Sequence, residues 1–421
     1  MFETNNTPNV LVISYSPFSK TVNNGKTLSS FFENYNRESI AQFCFSGGDR
    51  NEDVCDNYFI LTNDDVLRKK TGGAFSSSQI PVIPVNQEKK TGLKKAFGFF
   101  SQKRFPAAVY IKNCVWDKAD YSKAFEWIDQ FNPDVVFFQG FSMAYGYDFA
   151  LDVCKRKNIP MILELTDDYT HRLYPLSILE RANQTRYRKA FTEAIRFASK
   201  TIVISQLMKE EYESRFGGDM VVMMNSVNAL HPACPCERTP DDYVYAGNLL
   251  LNRWKVLRNL GKALLQANPQ ATLNIYTPDV PPRRILKALS KVSSIHYGGR
   301  LTKEDLDRRL KKCEYVVHVE AFDKKNRKIT RLSMSTKISE YVASGAKVLA
   351  IGPSDVASMR CLEANRLGVC IHNPWVKFIS KALSSNAWGD DYVSNASAFI
   401  QSCAASSNGE RIKEILSKAI D

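Results

Sequence analysis

Histidine is scarce, at five in 421 residues, and the ten cysteines are scattered without the paired spacing of a zinc site. Only Cys234 and Cys236, in HPACPCER, stand close together, with His231 the sole nitrogen ligand beside them. No metal is therefore expected, and the cysteines read as reduced thiols. No stretch approaches the ~18 to 20 uncharged apolar residues of a membrane span. The opening MFETNNTPNV has neither the basic nor the apolar region of a secretory signal, so the expectation is a cytoplasmic protein. Negative charge is in the minority: 57 Lys and Arg face 44 Asp and Glu, a net +13 that attracts nucleic acid, an anionic membrane or a phosphorylated small molecule alike. With no nucleic-acid recognition module in the chain, nucleic acid is the least expected of these partners.

What the sequence does contain is alternation. Twelve short β-branched or aromatic runs, NVLVIS, IAQFCF, NYFILT, DVVFFQ, PMILEL, TIVIS, VVMM, YVYAG, ATLNIYT, SSIHYGG, YVVHVE and KVLAIG, are separated by helical segments. That pattern predicts parallel sheets built from βαβ units, covered on both faces. The length exceeds one hydrophobic core. The proline-rich stretch 227–242, VNALHPACPCERTPDD, is the best linker and divides the runs into seven and five. The fold class read from this is α/β, two tandem Rossmann-like doubly wound domains at 1–226 and 243–390 with a deep cleft between them. Helices at 391–421 follow, free to pack back on the first domain.

Chemistry concentrates in RLSMSTKISEYVASGAKVLAIGP, residues 331–353. With Ser335 as cap, Lys337 and Glu340 share one face of a short helix, while Ile338, Tyr341 and Val342 face the sheet. Ser335, Thr336 and Lys337 at a helix start suit a phosphate, and Glu340, which repels one, suits the hydroxyls of a ribose. An exposed capped helix with a Lys337–Glu340 pair fits the same residues. A second segment, YVYAGNLLLNRWKVLRNLGKAL at 243–264, runs strand, Gly247, a loop with Arg253 and Lys255, then an amphipathic helix. Ligands of open α/β sheets gather at strand carboxyl ends, so Arg253 and Lys255 belong beside the same crevice as Ser335–Glu340.

In the first half, NVLVISYSPFSKTVNNGKTLSSFF gives a strand, a loop through Asn24 and Gly25, and a helix; its GKT lacks the first Gly of a Walker motif because Lys20 stands there. MILELTDDYTHR ends a strand with acidic groups, from which Asp168 and then His171 are the candidates for a general base, though such residues also serve as helix caps. Residues 89–105, KKTGLKKAFGFFSQKRF, interleave six cations with Leu93, Phe97 and Phe100. A helix of that kind can rest on an anionic leaflet, or cover the core with its phenylalanines.

The segments YAGNLLLNRWK, STKISEYVASGAKVLAIGP and FASKTIVISQLMKEEYESRFGGDMVVMMNSVN resemble GT-B-fold glycosyltransferases of the large bacterial family four type, especially those that assemble cell-surface polysaccharides. The likeness spans both halves and is weakest over 40–130. It implies a nucleotide-sugar donor in the C-terminal domain, a saccharide or lipid-linked acceptor in the N-terminal domain, and transfer in the cleft. It also implies that Arg253, Lys255 and Lys337 hold the diphosphate with Ser335 and Thr336 assisting, in place of a metal. By the same likeness Glu340 takes the ribose, YGGRL, with Arg300 and Leu301, brackets the base, and Asn24 and Gly25 form the glycine loop facing the transferred sugar and the diphosphate. One departure stands out: such enzymes often carry a pair of glutamates with seven residues between them, and the place of the first, eight before Glu340, is Leu332. Ser333 or Arg331 is the nearest substitute. The alternatives are a nucleotide-sugar epimerase of the same architecture and a non-enzymatic basic binding protein.

Overall fold

The computed structural model describes residues 7–20, 23–70, 106–170, 177–229, 231–233, 237–384 and 391–420. His171, the segment 89–105 and the Cys234–Cys236 pair lie outside the described residues.

Two all-parallel sheets organise the chain. The first contains β1 (Val10–Ser14), β2 (Ile40–Cys44), β3 (Asn57–Ile60), β4 (Val135–Gln139), β5 (Met161–Leu165), β6 (Lys200–Val203) and β7 (Met220–Val222), in the order β3-β2-β1-β4-β5-β6-β7. The second contains β8 (Thr239–Ala246), β9 (Thr272–Tyr276), β10 (Ile295–Gly299), β11 (Cys313–Val319), β12 (Lys347–Ile351) and β13 (Val369–Ile371), in the order β10-β9-β8-β11-β12-β13. Strands such as VLVIS, VVFFQ and MILEL are buried at every position, as strands with helices on both faces must be. In each sheet the order reverses beside its first strand, between β1 and β4 and between β8 and β11. Those are the two places where loops diverge and a crevice opens.

On one face of the first sheet Phe43, Phe45 and Phe138 pack with Phe149 of the helix Ala144–Lys157 and Phe191 of the helix Ile178–Phe197. The other face packs Val10, Val12 and Phe137 against Phe31 and Phe32 of the helix Asn23–Phe32 and against Ile412 and Leu416 of the last helix, Ala405–Ile420. The chain thus leaves the first lobe near Val227 and returns at Ala404, and the two crossings bond to each other: Val227 N–H donates to Cys403 O at 3.0 Å and Ala405 N–H to Val227 O at 3.0 Å.

Three details differ from the sequence expectation. A thirteenth strand, β13, is only three residues long and carries too short a pattern to read. The linker ends sooner than residue 242, because β8 begins at Thr239; Asp242 is buried there, where Arg309 approaches its two oxygens at 2.5 and 2.7 Å. Asn24 and Gly25 sit in the first turn of a helix that starts at Asn23, not in a loop before it. A Cβ on Gly25 would meet Pro17 O at 2.4 Å, so the glycine lets that turn close against the segment following β1.

Candidate active site at the carboxyl edge of the second sheet

The site grows from the end of β8. The helix Lys337–Ala343 is fixed there by Tyr341, whose buried hydroxyl accepts from Ala246 N–H at 3.0 Å and donates to Ala246 O at 2.9 Å. The next residue, Gly247, turns away and donates its N–H to Tyr276 O at 3.0 Å. Leu251 and Asn252 then adopt left-handed backbone (φ 55° and 62°), reversing the chain so that Arg253 opens the helix Arg253–Ala267.

Arg253 is not free in this arrangement. Its Nη2 donates to both oxygens of Glu320 at 3.1 Å, and its Nη1 reaches Asn248 Oδ1 at 3.4 Å. Glu320 follows β11, the strand beside β8 across the switch point, and its side chain is only 4% exposed. Burial pushes the Glu320 carboxyl above its ordinary value, and the adjacent guanidinium offsets part of that rise. Burial opposes the charge on Arg253, yet Glu320 and the nearby Tyr245 raise its affinity for its proton. His318, two residues before Glu320, is buried with Nε2 3.0 Å from Ser358 Oγ; burial first and Arg253 second push it down to about 3, so it is a neutral core histidine at ordinary pH. Lys255 is exposed, with its ammonium 5.8 Å from the centre of the Trp254 ring.

The second cationic cluster is centred on Glu340. Lys337 Nζ lies 2.8 Å from Glu340 Oε2, and Lys26 Nζ, reaching across the cleft from the first lobe, lies 3.3 Å from Oε1. Burial disfavours the ionised form of Glu340, but Lys337 and then Lys26 outweigh it and hold the carboxyl below its ordinary value. Thr336, not Ser335, occupies the cap position and makes no side-chain capping bond; Ser335 Oγ accepts instead from Lys337 N–H at 3.4 Å. The helix ends just before Gly345, which takes left-handed backbone at φ 72°. Arg300 and Leu301 follow the last residue of β10, on the same carboxyl edge but two strands away from β8.

Leu332 belongs to neither cluster. It is 1% exposed and packs into the core of the first lobe, while its carbonyl accepts from Ser205 Oγ at 2.9 Å. Its neighbours complete the seam: Ser333 Oγ donates to Asp167 Oδ1 at 2.8 Å and Arg331 pairs with Glu211. Ser333 and Arg331 thus spend their polar groups on joining the lobes. Asp168 Oδ1 accepts from Thr170 N–H, Thr170 Oγ1 and Tyr212 OH at 2.8, 2.6 and 2.8 Å, which makes it the organiser of the turn after β5.

Sequence reasoning missed Lys26 and Glu320. Lys26 stands in GKT, which by itself suggests only a phosphate loop, and Glu320 ends the run YVVHVE, where a carboxylate at a strand end beside Arg253's strand is the available signal. Among the described residues, no group of three or more His, Cys, Asp or Glu side chains is placed to hold a metal ion, and no helix is long and apolar enough to cross a membrane.

Neither a protein-family model nor a characterised protein sequence matches the chain. Solved structures do. Sucrose-phosphate synthase from Thermosynechococcus elongatus superposes with a TM-score of 0.61 at 11% identity, over 97% of this chain and 98% of the other. An α,α-trehalose-phosphate synthase (UDP-forming) from Burkholderia xenovorans, in complex with glucose-6-phosphate, gives 0.59 at 10% identity over 97% and 100%. The fold is GT-B. A variant of TarM from S. aureus, in complex with fondaparinux, alpha-GlcNAc-glycerol and UDP, gives 0.57 at 11% identity over 98% and 100%. Near-complete coverage on both sides means that the GT-B likeness extends over both lobes and the crossing between them, while identities this low leave activity to be argued from the residues themselves.

Proposed function

We propose that the protein is a glycosyltransferase that moves a hexose or related sugar from a nucleoside diphosphate donor to a saccharide or lipid-linked acceptor hydroxyl, in the building of a bacterial surface polysaccharide. The observation that carries this reading is the pair of cationic clusters, Arg253 and Lys337, set on elements that meet at the end of β8 beside the switch point. In glycosyl transfer, negative charge builds on the departing diphosphate, so fixed positive groups at that place lower the barrier. An Arg donates in a planar fork and a Lys as a point charge, and together they take the part that a divalent ion plays elsewhere. Arg253 is held in register by the buried carboxylate of Glu320, so that cation needs little reorganisation when the phosphates arrive.

Glu340 is read as the ribose ligand, with Ser335, Thr336, Gly247 and Lys255 at the rim of the diphosphate site and Arg300 with Leu301 toward the base. Asn24 and Gly25, in the first turn across the cleft, face the transferred sugar. The acceptor is assigned to the first lobe. Asp168 is given the task of shaping the turn after β5 rather than of accepting a proton, because Oδ1 is already committed to three donors. His171 remains the candidate base for an inverting transfer. The basic segment 89–105 is assigned to reversible contact with an anionic membrane from the cytoplasmic side, which suits a lipid-linked acceptor.

Incubation with uridine- and guanosine-diphosphate sugars, with and without a mixture of saccharide and polyprenyl-phosphate acceptors, tests this by mass spectrometry of products. Acceptor-dependent release of the nucleoside diphosphate is the expected result. Conversion of the donor with no acceptor present would assign an epimerase instead, and an unchanged donor in every mixture would leave a binding protein.

A further inference from the structure

The lysine of GKT has no place in the reading so far. It sits one residue after Gly25, on a turn held by the hydrogen bond from Ser19 N–H to Gly25 O at 3.2 Å, and its ammonium crosses to a residue 314 positions later in the chain. The two cationic clusters differ in charge balance. Arg253 and Glu320 cancel, one against one, whereas Lys26 and Lys337 share the single carboxylate of Glu340, one ammonium on each oxygen. Among the described residues neither lysine pairs with a second carboxylate, so one positive charge is left over at the mouth of the cleft.

Resting on the donor-site reading above, we propose that Lys26 is a phosphate-binding residue contributed by the first lobe. When the ribose hydroxyls donate to Glu340 they compete with the two ammonium groups for its lone pairs and loosen both ion pairs. The lysines are then turned to the diphosphate. Glu340 thereby couples recognition of the nucleoside to delivery of positive charge from both lobes, and the lobes are drawn together only around a complete donor.

Calorimetric titration of the full chain with UDP, GDP, uridine and guanosine separates this from a plain bridge between lobes. With Lys26→Met the diphosphate is expected to bind about tenfold more weakly, the corresponding nucleoside equally well or more tightly, and the salt dependence of diphosphate binding to be shallower. Lys26→Arg, which keeps the charge, is expected to retain most of the affinity. Equal weakening of nucleoside and diphosphate, or no change in either, would overturn the assignment while leaving the donor site standing. Wild-type protein that binds neither diphosphate would overturn the donor site itself, and this assignment with it. Thermal unfolding of each variant verifies that it is folded before titration.

Discussion

At the scale of single residues, the chemistry of Arg253 is inseparable from Glu320. Removing the guanidinium leaves a carboxylate that is 4% exposed without its counter-ion, a change that typically costs ~3 to 5 kcal/mol. Arg253→Ala is therefore expected to lower the melting temperature as well as turnover, and Glu320→Gln in the same chain to restore much of the stability with none of the activity. Differential scanning calorimetry beside a transfer assay distinguishes the two effects. Glu164, on β5, gives a second residue-scale prediction. It is fully enclosed, with Gln139 Nε2 donating to Oε2 at 2.7 Å, and burial pushes its carboxyl up to about 7 against that one bond. A carboxyl raised in the folded state adds stability below its unfolded pKa and loses it as pH rises through 7, by ~3 kcal/mol in all. Glu164→Gln keeps an acceptor for Gln139 and cannot ionise. Its melting temperature should exceed wild type by a margin that widens from pH 5 to pH 8; a constant margin would contradict the assignment. The sequence made Arg253, Lys337 and Glu340 legible through residue type at strand and helix ends. It could not show Lys26 or Glu320 as their partners, because those contacts join residues far apart in the chain.

At the scale of elements, the switch point depends on how the helix Lys337–Ala343 is tied to β8. Tyr341 makes that tie with one hydroxyl that serves both the N–H and the carbonyl of Ala246. Tyr341→Phe leaves two buried backbone groups without this partner, and such losses cost ~1 to 3 kcal/mol each. Urea unfolding should show a loss in that range, with weaker donor binding because Lys337 and Glu340 ride on the same helix. Twelve strands were readable because runs such as VVFFQ and KVLAI are apolar enough to be covered on both faces. The reading failed where the chain gives no such run, at three-residue β13. It also failed where polar residues enter a strand, at the start of β8, because Asp242 is satisfied by Arg309 and Asn274 from other elements. Asn24 and Gly25 looked like a loop because their composition is that of a turn, yet close packing of Gly25 on Pro17 carries the helix through them.

At the scale of the whole molecule, two lobes are held by the strip Arg331–Ser333, by the paired crossings at Val227 and Cys403–Ala405, and by the bridge from Lys26 to Glu340. The last helix is part of the first lobe although it lies at the far end of the chain. Truncation after Ala404 removes Ile412 and Leu416 from the core that contains Phe31 and Phe137, at ~1.5 to 3 kcal/mol for each buried side chain. Limited proteolysis should then cut the first lobe before the second. At this scale Leu332, standing where the family resemblance would place the first glutamate of a pair, is an apolar peg in the seam between lobes. The central claim is that positive side chains at the carboxyl edge of the second sheet hold a nucleoside diphosphate. Its most direct test is calorimetric titration of wild type and Lys337→Ala with UDP and GDP. Binding of one diphosphate by the wild type, weakened about tenfold to a hundredfold in the variant at unchanged melting temperature, is the predicted result. Equal affinity in the two proteins would contradict it.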